Sequence, residues 1–113
     1  MRLPNADRAM VDEAKIREYL LSTKHPVGRF KAAFFRALGY TPENWRDLQV
    51  ALTEHAMGGD AVLDEVMDHG TKFRIRAMLR GTGDRSAALV SVWIIRPGES
   101  VPRFVTAFPG VIR

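Results

Sequence analysis

The side chains of this chain that could take part in chemistry are few and of three kinds: histidines, cations and hydroxyls. His25, His55 and His69 are scattered over 113 residues, and the chain has 17 lysines and arginines and no cysteine. None of the histidines has a carboxylate or a second histidine at a spacing typical of metal ligands. No glycine-rich phosphate loop joins a predicted strand to a helix, and no serine lies in an elbow motif. We therefore expect chemistry without a metal or a cofactor.

These residue types suit cleavage of RNA without a metal ion. That reaction needs a base for the ribose 2′-hydroxyl, an acid for the leaving 5′-oxygen and cations over the phosphate. His25 follows Lys24 at the start of a predicted helix and is the candidate acid or base, because histidine titrates near neutral pH. Arg29 or Lys31 would help to bind the phosphate. The alternative for His25 is a surface or helix-cap residue.

A second candidate surface is the strand predicted at Thr71–Arg80. Phe73, Ile75, Ala77 and Leu79 alternate with a row that holds four cations and Met78, which indicates one buried face and one open face. The open side would carry Lys72, Arg74 and Arg76, and we consider these three as RNA or phosphate ligands, with Lys72 also at the catalytic centre. The alternative is a solvated face whose charges only keep the sheet soluble.

Two further candidates lie near the C-terminus. Arg103 would hold the scissile phosphate and Thr106 would orient one of its oxygens. They are three positions apart, so in a regular strand they point to opposite faces, unless a bulge near Pro102 changes the register. His55 falls on or beside the apolar stripe of a predicted helix and is expected to be packed, and His69 is expected in a turn.

The distribution of charge favours an anionic partner on one side of the molecule. The net charge is +4, and basic blocks at Lys24–Arg46 and Thr71–Arg113 flank an acidic segment at Gly58–Gly70. Such blocks are typical of nucleic-acid binding, but a solvated surface has the same composition. Met1–Asp7 has no signal-peptide pattern, and no apolar run is long enough to span a membrane.

The elements that must position these residues are three helices followed by four strands. Capping residues, glycines and prolines predict the ends of each element. We predict helices at Glu13–Leu21, Pro26–Leu38 and from Thr41 to the Gly58-Gly59 pair, and strands at Ala61–Met67, Thr71–Arg80, Ser86–Ile95 and Val101–Phe108. The second helix would bury Phe30, Ala33, Phe34, Ala37 and Leu38. The fold class is α+β, with about three N-terminal helices packed on a four-stranded antiparallel β-meander. One domain is expected over residues 1–113, with the helical layer at about 12–57 and the meander at about 61–109.

The stretches HPVGRFK, residues 25–31, and PRFVTAFP, residues 102–109, resemble a bacterial domain of unknown function. That domain occurs as small stand-alone proteins and at the C-termini of polymorphic toxins. The layout also resembles the ribonuclease toxin superfamily that joins barnase, EndoU, the tRNase colicins and RelE. Several of those toxins have a lysine–histidine pair at an early helix, which matches Lys24 and His25, and a final TAYP-type strand, whose threonine matches Thr106. The tyrosine of that strand is Phe108 here, and a phenyl ring cannot donate a proton.

The resemblance implies a metal-independent ribonuclease toxin, with tRNA among its candidate substrates and an acidic antitoxin or immunity protein as its inhibitor. It also implies action in the cytoplasm, either of the producing cell or of a target cell. The alternative is a non-catalytic module that binds RNA or an acidic protein through the basic sheet face. A third interpretation is a plain structural or partner-binding domain. The replacement of tyrosine by Phe108 favours weaker activity or binding without cleavage.

Overall fold

In the computed structural model, helices come first and an antiparallel sheet follows, which confirms the predicted α+β class. The structure describes residues 1–110, apart from the side chain of Phe30. The helices are a 3₁₀ turn at Ala6–Arg8, α1 at Glu13–Lys15, a π-helix at Ile16–Leu20, α2 at Arg29–Ala37, a second 3₁₀ turn at Pro42–Asn44 and α3 at Trp45–Gly58. The strands are β1 at Ala61–Met67, β2 at Gly70–Arg80, β3 at Ser86–Ile95 and β4 at Arg103–Pro109.

The first predicted helix is a single helical segment in two forms. Its first turn is α-helical, and it then widens into the π-helix, as the bond from the Leu21 amide to the Ile16 carbonyl shows (2.8 Å). Ile16 and Leu20 are fully buried, while Tyr19 is half-buried. Single π turns inside helices are frequent at functional sites, and this one carries Tyr19 at the rim of the core.

The second helix differs from its prediction at its start and in its buried side. α2 begins at Arg29, because residues 25–28 form a turn instead of the first helical turn. The buried residues are Ala32, Phe35 and Leu38, whereas Ala33 and Ala37 are exposed. Leu38 is buried as predicted and Phe34 is partly buried against the core, but the prediction was wrong for Ala33 and Ala37. The centre of the stripe is shifted by about one position, since the side that contains Phe35 buries more apolar area than the alanines could. The side chain of Phe30, which the same prediction placed in the core, lies outside the described part of the chain.

The shift of the buried stripe decides which basic side chain of α2 turns inward. Lys31, Phe35 and Leu38 have the spacing i, i+4, i+7, so they share one side of the helix. Lys31 is therefore half-buried, whereas Arg29 is exposed. Gly39 then ends the helix with φ +96°, as its type predicted.

The sheet is a meander with the strand order β1-β2-β3-β4, so β1 and β4 are its edges. α3 packs on β2 and β3, while α1 and α2 contact β4. We call the side that packs on the helices the helix face; it buries Ile75, Leu79, Leu89 and Trp93, and Trp93 meets Phe104 edge to face at 5.4 Å. β3 is buried on both of its sides, as its continuous apolar run predicted.

The other side of the sheet, which we call the open face, carries the cations of β2. Residues that pair across neighbouring strands share a face. Val90, Val92 and Ile94 of β3 are buried and form its floor between the cations and β4. β4 begins at Arg103 and not at the predicted Val101, because Pro102 has no amide to donate to a strand. Just before that start, the amide of Met10 donates to the Pro102 carbonyl, which anchors the N-terminal segment beside β4 (2.9 Å).

Candidate active site

An open cleft of about 670 Å³ lies where α1 and its π-helix, the turn before α2 and strand β4 meet. Three of the predicted site residues line this cleft: His25, Lys31 and Thr106. Tyr19 and Lys15, which sequence reasoning did not select, line it as well, as do the carboxylates of Asp12 and Glu18. The cleft therefore brings together residues from both of the stretches that carry the family resemblance.

Tyr19, Lys31 and Thr106 form a closed triangle of hydrogen bonds, which we call the cleft cluster. The Lys31 ammonium donates to the Tyr19 hydroxyl at 2.8 Å and to the Thr106 hydroxyl at 2.7 Å. The two hydroxyls are themselves 2.8 Å apart. Each of these three polar groups has only side-chain partners here, and all three are half-buried. An incoming anion could therefore replace bonds within the triangle without breaking secondary structure.

The cluster is cationic, and its charge acts on the phenol. Burial by itself would raise the pKa of Tyr19. The hydrogen bonds from Lys31 and Thr106, together with the charges of Lys31 and Lys15, outweigh burial and hold the pKa of Tyr19 below its usual value of 10.0. The Lys15 ammonium lies 5.5 Å from the centre of the Tyr19 ring and that of Lys31 lies 5.0 Å from it. A phenol of lowered pKa is a better proton donor.

His25 reaches the cleft from the turn that replaces the first turn of α2. Its ring packs edge to face on Tyr19, with the ring centres 4.9 Å apart. Its Nδ1 accepts hydrogen bonds from the amides of Val27 and Gly28, both at 3.0 Å. A neutral ring held in this way carries its proton on Nε2.

These bonds bear on the predicted role of His25 as acid or base. Either role at Nε2 needs a proton on Nδ1, and Nδ1 cannot hold one while it accepts from two amides. As it is held, the ring caps the turn and can only donate a hydrogen bond. The acid or base role stays a prediction, and it requires the turn to release Nδ1.

Gly28 fixes the distance between this turn and the π-helix. A Cβ atom at this position would lie 1.8 Å from the carbonyl oxygen of Tyr19, so only glycine allows the two backbones to approach this closely. Lys31 follows one turn later on α2. The short backbone contact therefore brings the Lys31 ammonium within reach of the Tyr19 hydroxyl.

A bulge in β4 aims Thr106 and Arg103 to one side. Val92 pairs with Thr106, but the next residue, Trp93, pairs with Phe104, so Val105 is an extra residue in β4. Thr106 and Arg103, which pairs with Ile94, therefore both belong to the open face. The sequence left open a bulge near Pro102 with this effect, and the bulge lies instead at Val105.

The basic residues of β2 belong to the same face but not to the cleft. Register places Lys72 opposite Ile94 and Arg74 opposite Val92, so each lies two strands from β4, about 10 Å between Cα atoms. Lys72 is therefore not at the cleft cluster but flanks the cleft at a distance, and its role as a catalytic residue stays a prediction. Lys24 is exposed beside His25 and its side chain does not line the cleft.

Two of the predicted phosphate ligands already have carboxylate partners. Arg74 pairs with Asp64 at 3.0 Å and Arg103 pairs with Glu99 at 3.0 Å. Among the residues that the structure describes, Lys72 and Arg76 have no ion-pair partner. Register nevertheless places Glu65 of β1 opposite Lys72, and Asp60 lines the same pocket as Arg76, so carboxylates lie near both cations without forming ion pairs with them.

The other two histidines lie away from the cleft, as predicted. His55 is 3% exposed; its Nδ1 contacts the Ser91 hydroxyl at 2.9 Å, and its Nε2 lies 3.1 Å from the carbonyls of Ala77 and Leu89. The Trp93 indole donates to the same Ser91 hydroxyl at 2.8 Å. We call His55, Ser91 and Trp93 the core cluster. His69 is exposed in the turn between β1 and β2.

Tyr19 was not selected from the sequence, because its helical spacing with Ile16 and Leu20 is typical of a core residue. The only sequence signal in its favour was a phenol in a helix with lysine neighbours. Within residues 1–110, the structure contains no group of three histidine, cysteine or acidic side chains able to hold a metal ion. Nor does this part of the chain contain a helix that is long and apolar enough to cross a membrane.

Comparison with known proteins supports the fold and the family. A chain of the contact-dependent growth inhibition toxin–immunity protein complex from Klebsiella pneumoniae 342 has a similar fold, with a TM-score of 0.69 and 18% identity. The similarity covers 89% of this chain and 99% of that chain. No curated protein matches. The model of the family DUF6883, described as a domain of unknown function, matches residues 2–111. This match confirms the resemblance seen in HPVGRFK and PRFVTAFP, and the chain belongs to this family.

Proposed function

We propose that this domain is a metal-independent endoribonuclease that acts as a toxin. The observation that carries the proposal is the cleft cluster: an ammonium, a phenol of lowered pKa and a hydroxyl within 2.8 Å of one another. It opens beside a sheet face on which Lys72 and Arg76 have no ion-pair partner among the described residues. The similarity in fold to a chain of a toxin–immunity protein complex agrees with this assignment.

In the proposed reaction the ribose 2′-oxygen attacks phosphorus and the bond to the 5′-oxygen breaks. The products are a 2′,3′-cyclic phosphate and a 5′-hydroxyl. Lys31 stabilises the charge that builds on the phosphate oxygens, and Thr106 orients one of these oxygens. Tyr19 gives its proton to the leaving 5′-oxygen. This assigns to Tyr19 the phenol chemistry that Phe108 cannot supply.

The remaining proton transfer belongs to His25. Its Nε2 takes the proton of the 2′-hydroxyl in a state in which the turn has released Nδ1, and Nδ1 then carries the other proton. The cost of that release is the loss of two backbone hydrogen bonds, each worth about 1 kcal/mol. Lys72, Arg76 and the paired Arg74 and Arg103 hold the RNA strand on either side of the scissile phosphate, and the exposed Lys24 and Arg29 extend this basic surface.

A second function is favoured by the capped state of His25, which suits a binding module without catalysis. Such a module would hold RNA through the open face and the cleft cluster and leave it intact. In either case the basic face suits an acidic inhibitor. A toxin would have an immunity protein or antitoxin as this partner and would act in the cytoplasm, of its own cell or of a target cell.

The test is incubation of the purified protein with total bacterial RNA and EDTA, beside the variants His25→Asn and His25→Ala. The side-chain oxygen of asparagine at this position can still accept hydrogen bonds from the amides of Val27 and Gly28, but asparagine cannot transfer a proton. If His25 is catalytic, both variants lose cleavage, and His25→Asn keeps the wild-type stability. If His25 only caps the turn, His25→Asn cleaves like the wild type and His25→Ala does not.

Intact RNA with the wild type would reject the nuclease. Filter binding of the same RNA then separates the remaining functions: binding that weakens steeply with salt identifies the RNA-binding module. Weak binding without salt dependence would mean that the cations of the open face only keep the sheet soluble.

A further inference from the structure

Phe108 lies on the open face beside the cleft cluster, and its ring is accessible. Its side chain is 38% exposed, although phenylalanine is among the residues most often buried. The Lys31 ammonium is 6.0 Å from the ring centre, so the same ammonium that touches Thr106 also faces this ring. Thr106 and Phe108 are two positions apart in β4 and share a face.

The surface next to the ring is apolar, and cations border it on both sides. Phe108 pairs with Val90, and Val90 pairs with Arg76. Val90 is 2% exposed and forms the floor between them. Arg76 lies across that floor, about 10 Å from Phe108. It has no ion-pair partner among the described residues, although Asp60 lines the same pocket. Lys31 stands on the other side.

An accessible aromatic ring between two cations matches the chemistry of an unpaired nucleotide. The cations meet consecutive phosphates, and the ring offers a flat surface on which a base can stack. We propose that Phe108 is the stacking platform for an unpaired base of the RNA, next to the phosphate that Lys31 and Thr106 hold. This inference deepens the proposed function: it names the substrate as single-stranded RNA or a loop, because a base within a duplex cannot reach the ring.

The platform also gives a reason for phenylalanine at this position. A phenyl ring stacks as well as a phenol does but has no proton to give, and Tyr19 supplies a phenol from within the cleft, beside which Phe108 lies. The aromatic residue of the TAFP ending would therefore bind the substrate, while the proton transfer belongs to Tyr19.

The experiment measures binding and needs no cleavage. Its probe is a fluorescein-labelled single-stranded decamer with 2′-O-methyl sugars, which block attack by the 2′-oxygen, and the readout is fluorescence anisotropy. A second decamer lacks the bases at its central positions. We expect the wild type to bind the complete decamer about tenfold more tightly, because one stacked base is worth roughly that factor.

Phe108→Leu should lose this tenfold preference and bind both decamers equally, whereas Phe108→Trp, which keeps a ring, should retain it. Val66→Ala is the matched control, because Val66 is 70% exposed on the opposite edge of the sheet, and it should bind like the wild type. Equal binding of both decamers by the wild type would overturn the platform, and so would a Phe108→Leu variant that keeps the preference. The first of these outcomes needs no variant, so a folding defect cannot obscure it.

The outcomes for the platform and for the nuclease are separate. Cleavage of total RNA together with no preference for bases rejects the platform and leaves the nuclease. A preference that depends on Phe108, in a protein that leaves RNA intact, supports the platform and rejects the nuclease.

Discussion

The cleft cluster and the core cluster use similar side chains for different purposes. Both contain an aromatic ring, a hydroxyl and a nitrogen group within hydrogen-bond distance. In the core cluster the nitrogen group is the buried His55, whose Nε2 faces two strand carbonyls. In the cleft cluster it is Lys31, half-buried, and all its partners are side chains that a ligand can replace. A closed network with backbone partners stabilises the fold, whereas an open cationic network is available for binding.

The charge of the two clusters follows from the same difference. Burial lowers the pKa of His55, against the opposing effect of its bonds to Ala77 and Leu89, so the ring is kept neutral. In the cleft, the ammonium stays near solvent, and it lowers the pKa of the phenol beside it. Each cluster can therefore be disturbed separately, and the readouts should not overlap: stability for the core cluster and activity for the cleft cluster.

The largest effect should follow from Lys31→Met. This variant keeps the length of the apolar stem and removes the ammonium from both hydroxyls and from the site of the developing phosphate charge. We expect RNA cleavage to fall by about 10²–10³-fold, the usual loss for one such donor. The free energy of unfolding should change little, since the site is partly solvated. The measurement is initial cleavage rate with EDTA, beside urea denaturation.

Lys31→Arg is the matched variant, because it keeps the charge and changes the geometry. It should retain more activity than Lys31→Met. A Lys31→Met protein that cleaves RNA at the wild-type rate would remove the cleft cluster from the mechanism. A protein that loses several kcal/mol of stability would show that the cluster is structural and that the contrast with the core cluster is mistaken.

His55→Ala should produce the largest loss of stability. It opens a cavity under the sheet and leaves the carbonyls of Ala77 and Leu89 without their donor. Cavity formation and an unmet buried acceptor together cost about 3 kcal/mol. The measurement is the urea midpoint, with His69→Ala as control, because the exposed His69 should change stability by less than about 0.5 kcal/mol. Equal midpoints for the two variants would contradict a structural role for His55.

The regular elements could be predicted because their signals are local. The alternation of residues 72–80 defined β2, and the ends of β1 and β3 were predicted to the residue. The start of α2 was not predicted correctly. This helix begins three residues late because His25 caps a turn, and helix propensities do not indicate that the Nδ1 lone pair of a histidine accepts backbone hydrogen bonds there. The rotation of α2 was missed for a related reason, since two overlapping apolar stripes fit the same residues.

The cleft cluster could not be predicted in full because its contacts are distant in sequence. Lys31 lies 12 residues from Tyr19 and 75 from Thr106, and the bulge at Val105 decides the direction of Thr106. Lys31 and Thr106 were selected from residue type and family resemblance. Tyr19 was not, because a helical spacing with Ile16 and Leu20 gives no information about a hydroxyl at the edge of the core.

A smaller effect is expected when the pH falls. The folded state lowers the pKa of His55, so the unfolded state binds more protons below its own histidine pKa of about 6.5. The contribution of His55 to the free energy of unfolding is therefore fully present above that pH and is lost as the pH falls below it. Between pH 7.5 and 5.5 the loss should be at most about 1.4 kcal/mol, because the unfolded histidine is protonated over only one pH unit of that range.

The comparison variant for this prediction is His55→Gln, which cannot titrate in this range. His25 and His69 remain in both proteins, so the difference between their pH dependences belongs to His55. A wild type and a His55→Gln variant with parallel losses of unfolding free energy on acidification would mean that the core cluster does not hold its histidine neutral.

The smallest change, and the sharpest comparison, is the ionisation of the two tyrosines of the chain. The pKa of Tyr19 is lowered by Lys31, Thr106 and Lys15 in spite of burial, whereas burial raises the pKa of Tyr40, whose hydroxyl donates to the Arg80 carbonyl in the core. Absorbance at 295 nm should therefore rise in two steps, one below and one above pH 10. Tyr19→Phe should remove the lower step, and Lys31→Met should move that step upward, because it takes away both a hydrogen bond and a positive charge. In urea the two steps should merge. If the lower step survives Tyr19→Phe, that step belongs to Tyr40. The phenol of the cleft would then have no advantage over an ordinary tyrosine as a proton donor.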